Sequence, residues 1–132
     1  MKLLVIADDN LPLVEVLEQV ALDAGWSVVT CSDGKELVDV LNELTESAFV
    51  LVDINMPELD GVEVAQCLGQ FAQLPEIRLR FMTGGADSLA VAARMIAKAR
   101  DREPGQTLYK PISIERFRQV LAEEERHLES MA

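Results

Sequence analysis

Four short strand-like stretches in this chain, two of them wholly apolar, each end on a residue able to handle a cation or an oxyanion. Leu3-Leu4-Val5-Ile6-Ala7 stops at Asp8-Asp9, and Phe49-Val50-Leu51-Val52 stops at Asp53. Ile77 to Met82 stops at Thr83, and Thr107-Leu108-Tyr109 stops at Lys110. If one sheet edge gathers these ends, three carboxylates repel one another and do not all stay ionised without a cation. An oxygen-only cluster suits a hard ion such as Mg²⁺, which keeps some of its waters. Lys110 adds a fixed positive charge, and Thr83 a hydroxyl able to bond an anion's oxygen. A phosphoryl group fits such a place. Metal and ammonium neutralise its oxygens, hydroxyl and loop amides orient it, and a carboxylate attacks in line. Carboxylates that form aspartyl phosphates are an established class of nucleophile. The product is a reactive mixed anhydride, better suited to a transient signal than to a stable mark.

The elements that must position these ends follow from periodicity. Phe49 to Asp53 is short, rich in valine and flanked by turn residues, as a strand buried on both faces is. Such a strand lies inside a parallel sheet, and its carboxyl end is where open α/β sheets place ligands. Leu13, Val14, Leu17, Val20, Ala21 and Ala24 recur at helical spacing between Pro12 and a Gly25 stop. Trp26 to Cys31 is a less apolar strand. Asp33 or Ser32 caps a helix with the stripe Leu37, Val40, Leu41 and Leu44. Gly61 opens a helix carrying Val62, Val64, Ala65, Leu68 and Phe71. In the strand Ile77 to Met82, Arg78 and Arg80 alternate with apolar residues, so one face or its first half is expected to meet water. Asp87 or Ser88 caps an alanine-rich helix from Leu89 to about Arg100. The last helix, about Ser113 to Leu128, packs through Ile114, Phe117, Val120, Leu121 and Leu128. Five strands alternating with five helices imply a parallel sheet with helices on both faces.

These residues carry a resemblance. Asp8-Asp9, Asp53-x-Asn55-Met56-Pro57-x-x-Asp60-Gly61, Thr83-Gly84 and Lys110-Pro111 together resemble the motif set of two-component response regulator receiver domains. The resemblance covers nearly the whole chain, and the combination in this order is far more specific than any single piece. It implies a flavodoxin-like (βα)5 three-layer sandwich with a parallel five-stranded sheet of order 2-1-3-4-5. It implies that Asp53 is the phosphoacceptor and that Asp9, Asp53 and the Asn55 backbone carbonyl bind Mg²⁺, with Asp8 assisting through water. Thr83 and Lys110 then contact the phosphoryl oxygens. The implied partners are a histidine kinase or phosphotransfer protein upstream and an unknown protein downstream. The implied state is a monomer or a phosphorylation-linked dimer.

The chain departs from the family pattern in three places. Gly84-Gly85 stands where alanine usually follows the threonine, which makes for a more mobile loop. Thr107 occupies the position, three residues before the lysine, where the family keeps a switch aromatic. Tyr109 is adjacent to Lys110 and, by strand alternation, shares a face with Thr107. The segment Gly85 to Gln106 is also longer than usual, and resembles an atypical receiver subgroup.

Composition limits the alternatives. At 132 residues the chain is read as one receiver domain over 1–132 with no fused output domain. Twelve basic against twenty-three acidic residues give a net charge of −11, which argues against nucleic acid or an anionic membrane as direct partner. Two cysteines, no signal peptide and no apolar run of membrane-spanning length suggest a cytoplasmic protein with reduced thiols. His127 is read as a solvated side chain, Cys67 as a small core residue, and Glu123-Glu124-Glu125 as a wet face. Two rival functions stand beside the phosphoacceptor. One is an interaction module that works without phosphorylation. The other is a small Mg²⁺-dependent phosphohydrolase, for which the sequence offers no second catalytic acid after Asp53. On the leading reading the chain is not a conventional enzyme, and catalyses only its own Mg²⁺-dependent phosphotransfer and autodephosphorylation.

Overall fold

The computed structural model describes residues 2–56, 60–67, 75–84, 88–100 and 102–131. Pro57, Gly85, the Asp87 cap, and Leu68 and Phe71 of the third helical stripe lie outside the described residues. The elements are β1 (Leu3–Ala7), α1 (Leu11–Asp23), β2 (Ser27–Cys31), α2 (Gly34–Glu43), β3 (Ala48–Asp53), α3 (Gly61–Cys67), β4 (Ile77–Thr83), α4 (Ser88–Ala99), β5 (Leu108–Tyr109) and α5 (Ile114–Ser130). All strand pairs are parallel, and the order is β2-β1-β3-β4-β5. This is the flavodoxin-like arrangement expected from the sequence. Every residue of β3 is buried, as its uninterrupted apolar run requires.

Local chemistry sets the helix ends. The Asn10 side chain accepts from the Leu13 amide at 3.3 Å and caps α1, with Pro12 in the first turn. Gly25 ends that helix at φ +89°, a conformation that L side chains rarely adopt. Asp33 caps α2 by accepting from the Glu36 amide at 2.8 Å, and Ser113 caps α5 by accepting from Arg116 at 3.0 Å.

The sheet divides the core in two. One face, with Val50, Val52 and Phe81, packs against Leu37 and Leu41 of α2, Val64 and Ala65 of α3, and Ala90, Ala93 and Ala97 of α4. The other, with Leu4, Phe49 and Leu51, packs against Val14 and Leu17 of α1 and Phe117, Val120 and Leu121 of α5. Trp26 meets Phe49 edge to face at 6.2 Å between centroids. Three layers result.

Two details correct the expectations from sequence. Arg78 and Arg80 do not give β4 a wet face, although Ile77 and Arg78 at its beginning are only half-buried, in line with the expected wetter first half. Arg80 is buried, and both arginines bond to Glu124 of α5, which is fully buried within the triplet expected to be solvated. Glu123 meets Arg80 Nη2 at 2.8 Å, a nitrogen it shares with Glu124, and Glu125 pairs with Lys2 at 2.6 Å. A buried carboxylate is tolerated when guanidinium forks satisfy it, and here two do. Ile114, expected in the α5 stripe, is exposed, because it is the first residue of the helix and lies beyond the sheet.

Candidate functional site

Asp8 follows β1, Asp53 ends β3, Thr83 ends β4 and Lys110 follows β5, so parallel pairing carries all four to the C-terminal edge of the sheet. The register holds them at one level: Ala7 lies beside Val52, Asp53 beside Met82, and Thr83 beside Tyr109. The amide of Ile54 continues the ladder to Met82 O at 2.9 Å, and the amide of Lys110 to Thr83 O at 2.8 Å. Each functional group is thus fixed by backbone pairing just behind it.

Ligand atoms of Asp8, Asp9 and Asp53 all lie within 4.8 Å of one another. Asp8 and Asp53 are buried, whereas Asp9 is exposed. The Lys110 ammonium stands 2.7 Å from Asp8 Oδ2 and 3.3 Å from Asp53 Oδ2. The ammonium is a close ion-pair partner for Asp8 Oδ2, which accepts no other aligned hydrogen bond among the described residues. Asp8 Oδ1 accepts from the Asn10 amide at 2.9 Å, and Asp53 Oδ1 from the Asn55 amide at 3.3 Å. Asn55 itself is exposed at the rim. Thr83 is buried at the end of β4.

Electrostatics match this crowding. Burial first, and then the Asp8 charge, push the Asp53 carboxyl up to about 6, against the downward pull of Lys110. Burial works against the Lys110 ammonium too, yet its bond to Asp8 and the Asp53 charge outweigh it and hold its pKa above the ordinary lysine value. Among the described residues one cation faces three acids, which leaves the site short of positive charge. Three carboxylates with ligand oxygens within 4.8 Å of one another form the all-oxygen donor set that a hard divalent ion takes, so the residues present fit Mg²⁺.

Gly61 is a fixed point behind the site. A Cβ there would lie 2.9 Å from Ile54 Cα and 3.0 Å from Asp53 O. The Gly61 amide instead donates to Ile54 O at 3.0 Å. Asp60 and Glu63 cap α3 reciprocally, each side chain accepting from the other's amide at 2.9 and 3.2 Å. Sequence reasoning missed Asn10, which both caps α1 and bonds Asp8. An asparagine directly before Leu11-Pro12 is the signal that points to it.

The sequence model described as "Response regulator receiver domain" matches residues 4–122. The chain belongs to this receiver family. A curated relative, the probable transcriptional regulator ycf27 of Cyanophora paradoxa, is 32% identical over 88 residues. That match covers 67% of this receiver and 36% of the relative, so the chain spans about a third of the relative's length. Among solved structures, full-length FixJ from B. japonicum is 25% identical with a TM-score of 0.79, covering 97% of this chain and 59% of that one. The CheY-like receiver domain protein from Methanospirillum hungatei JF-1 gives a TM-score of 0.75 at 18% identity, over 98% of this chain and 96% of that one. The beryllofluoride-activated NtrC4 receiver domain dimer gives 0.74 at 21% identity, with both chains covered in full. Receivers are signalling modules of two-component systems and not conventional enzymes. Among the described residues of this receiver, no helix is long and apolar enough to cross a membrane.

Two of the residues at which this receiver departs from the family pattern, Thr107 and Tyr109, lie at β5. Thr107 is half-buried, and its hydroxyl has no hydrogen-bond partner among the described residues. Tyr109 is exposed and lines the same groove as Thr107 and Leu108.

Proposed function

We propose that this receiver accepts a phosphoryl group on Asp53 from a histidine kinase or phosphotransfer protein and, once modified, changes its α4–β5–α5 surface to regulate a partner. The observation that carries the reading is the gathering of Asp8, Asp9 and Asp53 within 4.8 Å, with Lys110 3.3 Å from Asp53. Asp53 ionises at about 6, so at neutral pH its carboxylate oxygen is available to attack phosphorus. The new Asp53 O–P bond forms as the bond from phosphorus to the donor's imidazole nitrogen breaks, and the donor histidine departs as the leaving group. Lys110 neutralises charge on the phosphoryl oxygens, and Thr83 bonds one of them as a hydroxyl donor. Asp8, Asp9, Asp53 and the Asn55 carbonyl hold Mg²⁺, which supplies neutralisation of the same oxygens when bound. Water ends the modified state by hydrolysing the anhydride, which returns the Asp53 carboxylate and releases inorganic phosphate.

The downstream step is an order change at the end of β4, communicated to the face built from α4, β5 and α5. The setting is cytoplasmic, and the chain is a monomer or a phosphorylation-linked dimer. A second reading, a phosphorylation-independent interaction module, draws on Thr107 at the switch position and on the exposed Tyr109. Mg²⁺-dependent labelling by acetyl phosphate decides between them. Labelling that disappears in Asp53→Asn supports the first reading, and no labelling of the wild type favours the second.

A further inference from the structure

A groove of about 740 Å³ runs between α4, β5 and the beginning of α5. Its walls are largely apolar, with Val91, Leu108, Tyr109 and Ile112 among them, and Thr107 lines it where the family keeps an aromatic. Val91 and Tyr109 are 58% and 62% exposed, and the exposed Met95 and Ile114 flank these elements. Four of the nine large exposed hydrophobic residues among those described therefore belong to this one region. Contiguous exposed apolar surface of this kind marks an interaction site.

The charge at the groove is opposite to the charge of the chain. Arg94 and Arg116 line it, and no Asp or Glu does among the described residues, although the chain carries −11 overall. Among the described residues, neither guanidinium has all of its nitrogens engaged. Arg94 donates from one nitrogen to Gly105 O, and Arg116 has only a 3.8 Å approach to Glu123.

We propose that this groove takes an acidic segment of a partner protein, which seats one aromatic or large aliphatic side chain over Thr107 and pairs its carboxylates with Arg94 and Arg116. This rests on the α4–β5–α5 face being the signalling face, and it names the chemistry of the partner. Thr107 is short, so the room that a native aromatic would fill is left for an anchor from outside. The two arginines then select by charge, with forks suited to carboxylates. Nucleic acid and anionic membranes share the anionic character but meet the −11 field of the rest of the chain. A second copy fits poorly, because a two-fold pairing through the groove sets Arg94 and Arg116 against their own copies.

The test is selection of random peptides displayed on phage against the whole chain, counter-selected against Thr107→Phe. Selected sequences are then measured as free labelled peptides by fluorescence anisotropy. The expected winners carry several acidic residues around one aromatic or large aliphatic side chain. Their affinity falls at least tenfold in Thr107→Phe and in the double variant Arg94→Glu/Arg116→Glu, which changes two half-buried arginines of the groove wall, both checked for folding by circular dichroism. Winners that are basic or uncharged, no enrichment over the counter-selection, or unchanged affinity in the folded double variant would each overturn the proposal. So would a wild-type dimer that the double variant dissociates, because the occupant would then be a second copy. Running the selection on Asp53→Asn as well separates the two claims. Peptides selected without any labelling at Asp53 remove only the phosphoacceptor reading, and labelling without peptides removes only this one.

Discussion

The Lys110 ammonium stands 3.3 Å from Asp53 although the two residues belong to strands that do not touch. β4 lies between β3 and β5, and only the parallel register, with Asp53 beside Met82 and Thr83 beside Tyr109, brings the side chains together beyond the strand ends. The short β5, two residues long, positions the site's only cation among the described residues.

Removing that cation is therefore expected to damage the chemistry more than the fold. Lys110→Met should slow acetyl phosphate labelling by about 10²-fold, the cost of one lost transition-state donor. It should also move the ionisation of Asp53 further upward, read from the pH profile of labelling. A variant labelled at the wild-type rate would show that Lys110 does not act on the phosphoryl group.

Asp53 gives the stability of the chain a distinctive pH dependence. With its carboxyl raised from 3.8 to about 6, the folded chain keeps a proton between those values that the unfolded chain has released. Stability contributed at this site thus falls as pH rises through that window. In metal-free buffer at pH 7.5 the ionised group costs up to ~3 kcal/mol. Asp53→Asn should accordingly unfold at higher urea than wild type at neutral pH, and at the same urea below pH 4. Adding Mg²⁺ should stabilise wild type and leave Asp53→Asn nearly unchanged. A difference between the two proteins that is independent of pH would contradict this.

Gly61 supports Asp53 from behind. Because an added Cβ would lie 2.9 Å from Ile54 Cα, Gly61→Ala must move backbone next to the site. The expected loss is about 1–3 kcal/mol in urea unfolding, with slower labelling as well. Unchanged stability would mean that α3 shifts freely.

Most of the fold was legible in the sequence because its strands are apolar runs and its helices have local caps. Asp33, Pro12 and Gly25 act within a few residues of where they stand, so local reading finds them. The candidate site was legible for a related reason: in a parallel sheet every strand ends at the same edge, so Asp8, Asp53, Thr83 and Lys110 converge once the elements alternate. What local reading does not reach is pairing at long range. Arg80 and Glu124 are 44 residues apart, and each looks like a solvated charge in its own element. Only packing α5 onto β4 reveals that they neutralise each other.

That buried pair sets a further expectation. Glu124 accepts from Arg78 at 2.7 Å and from Arg80 at 3.0 Å, with no exposure of its own. Glu124→Ala should cost about 3–5 kcal/mol, because it removes the carboxylate that Arg78 and Arg80 share and leaves the buried Arg80 with Glu123 alone. Replacing the whole group, as Arg78→Met/Arg80→Met/Glu124→Leu, should recover most of the loss. Urea unfolding of both variants reads the outcome, and a mild effect of Glu124→Ala would show that water reaches Arg80.

The most direct measurement is of the bond itself. An aspartyl phosphate is reduced by borohydride to homoserine, which peptide mass spectrometry locates by residue. After incubation with acetyl phosphate and Mg²⁺, the wild-type chain is predicted to carry homoserine at position 53, and to carry none when Mg²⁺ is withheld or Asp53 is asparagine. Unreduced Asp53 in the complete reaction, or homoserine at another acid such as Asp8 or Asp9, would contradict the account.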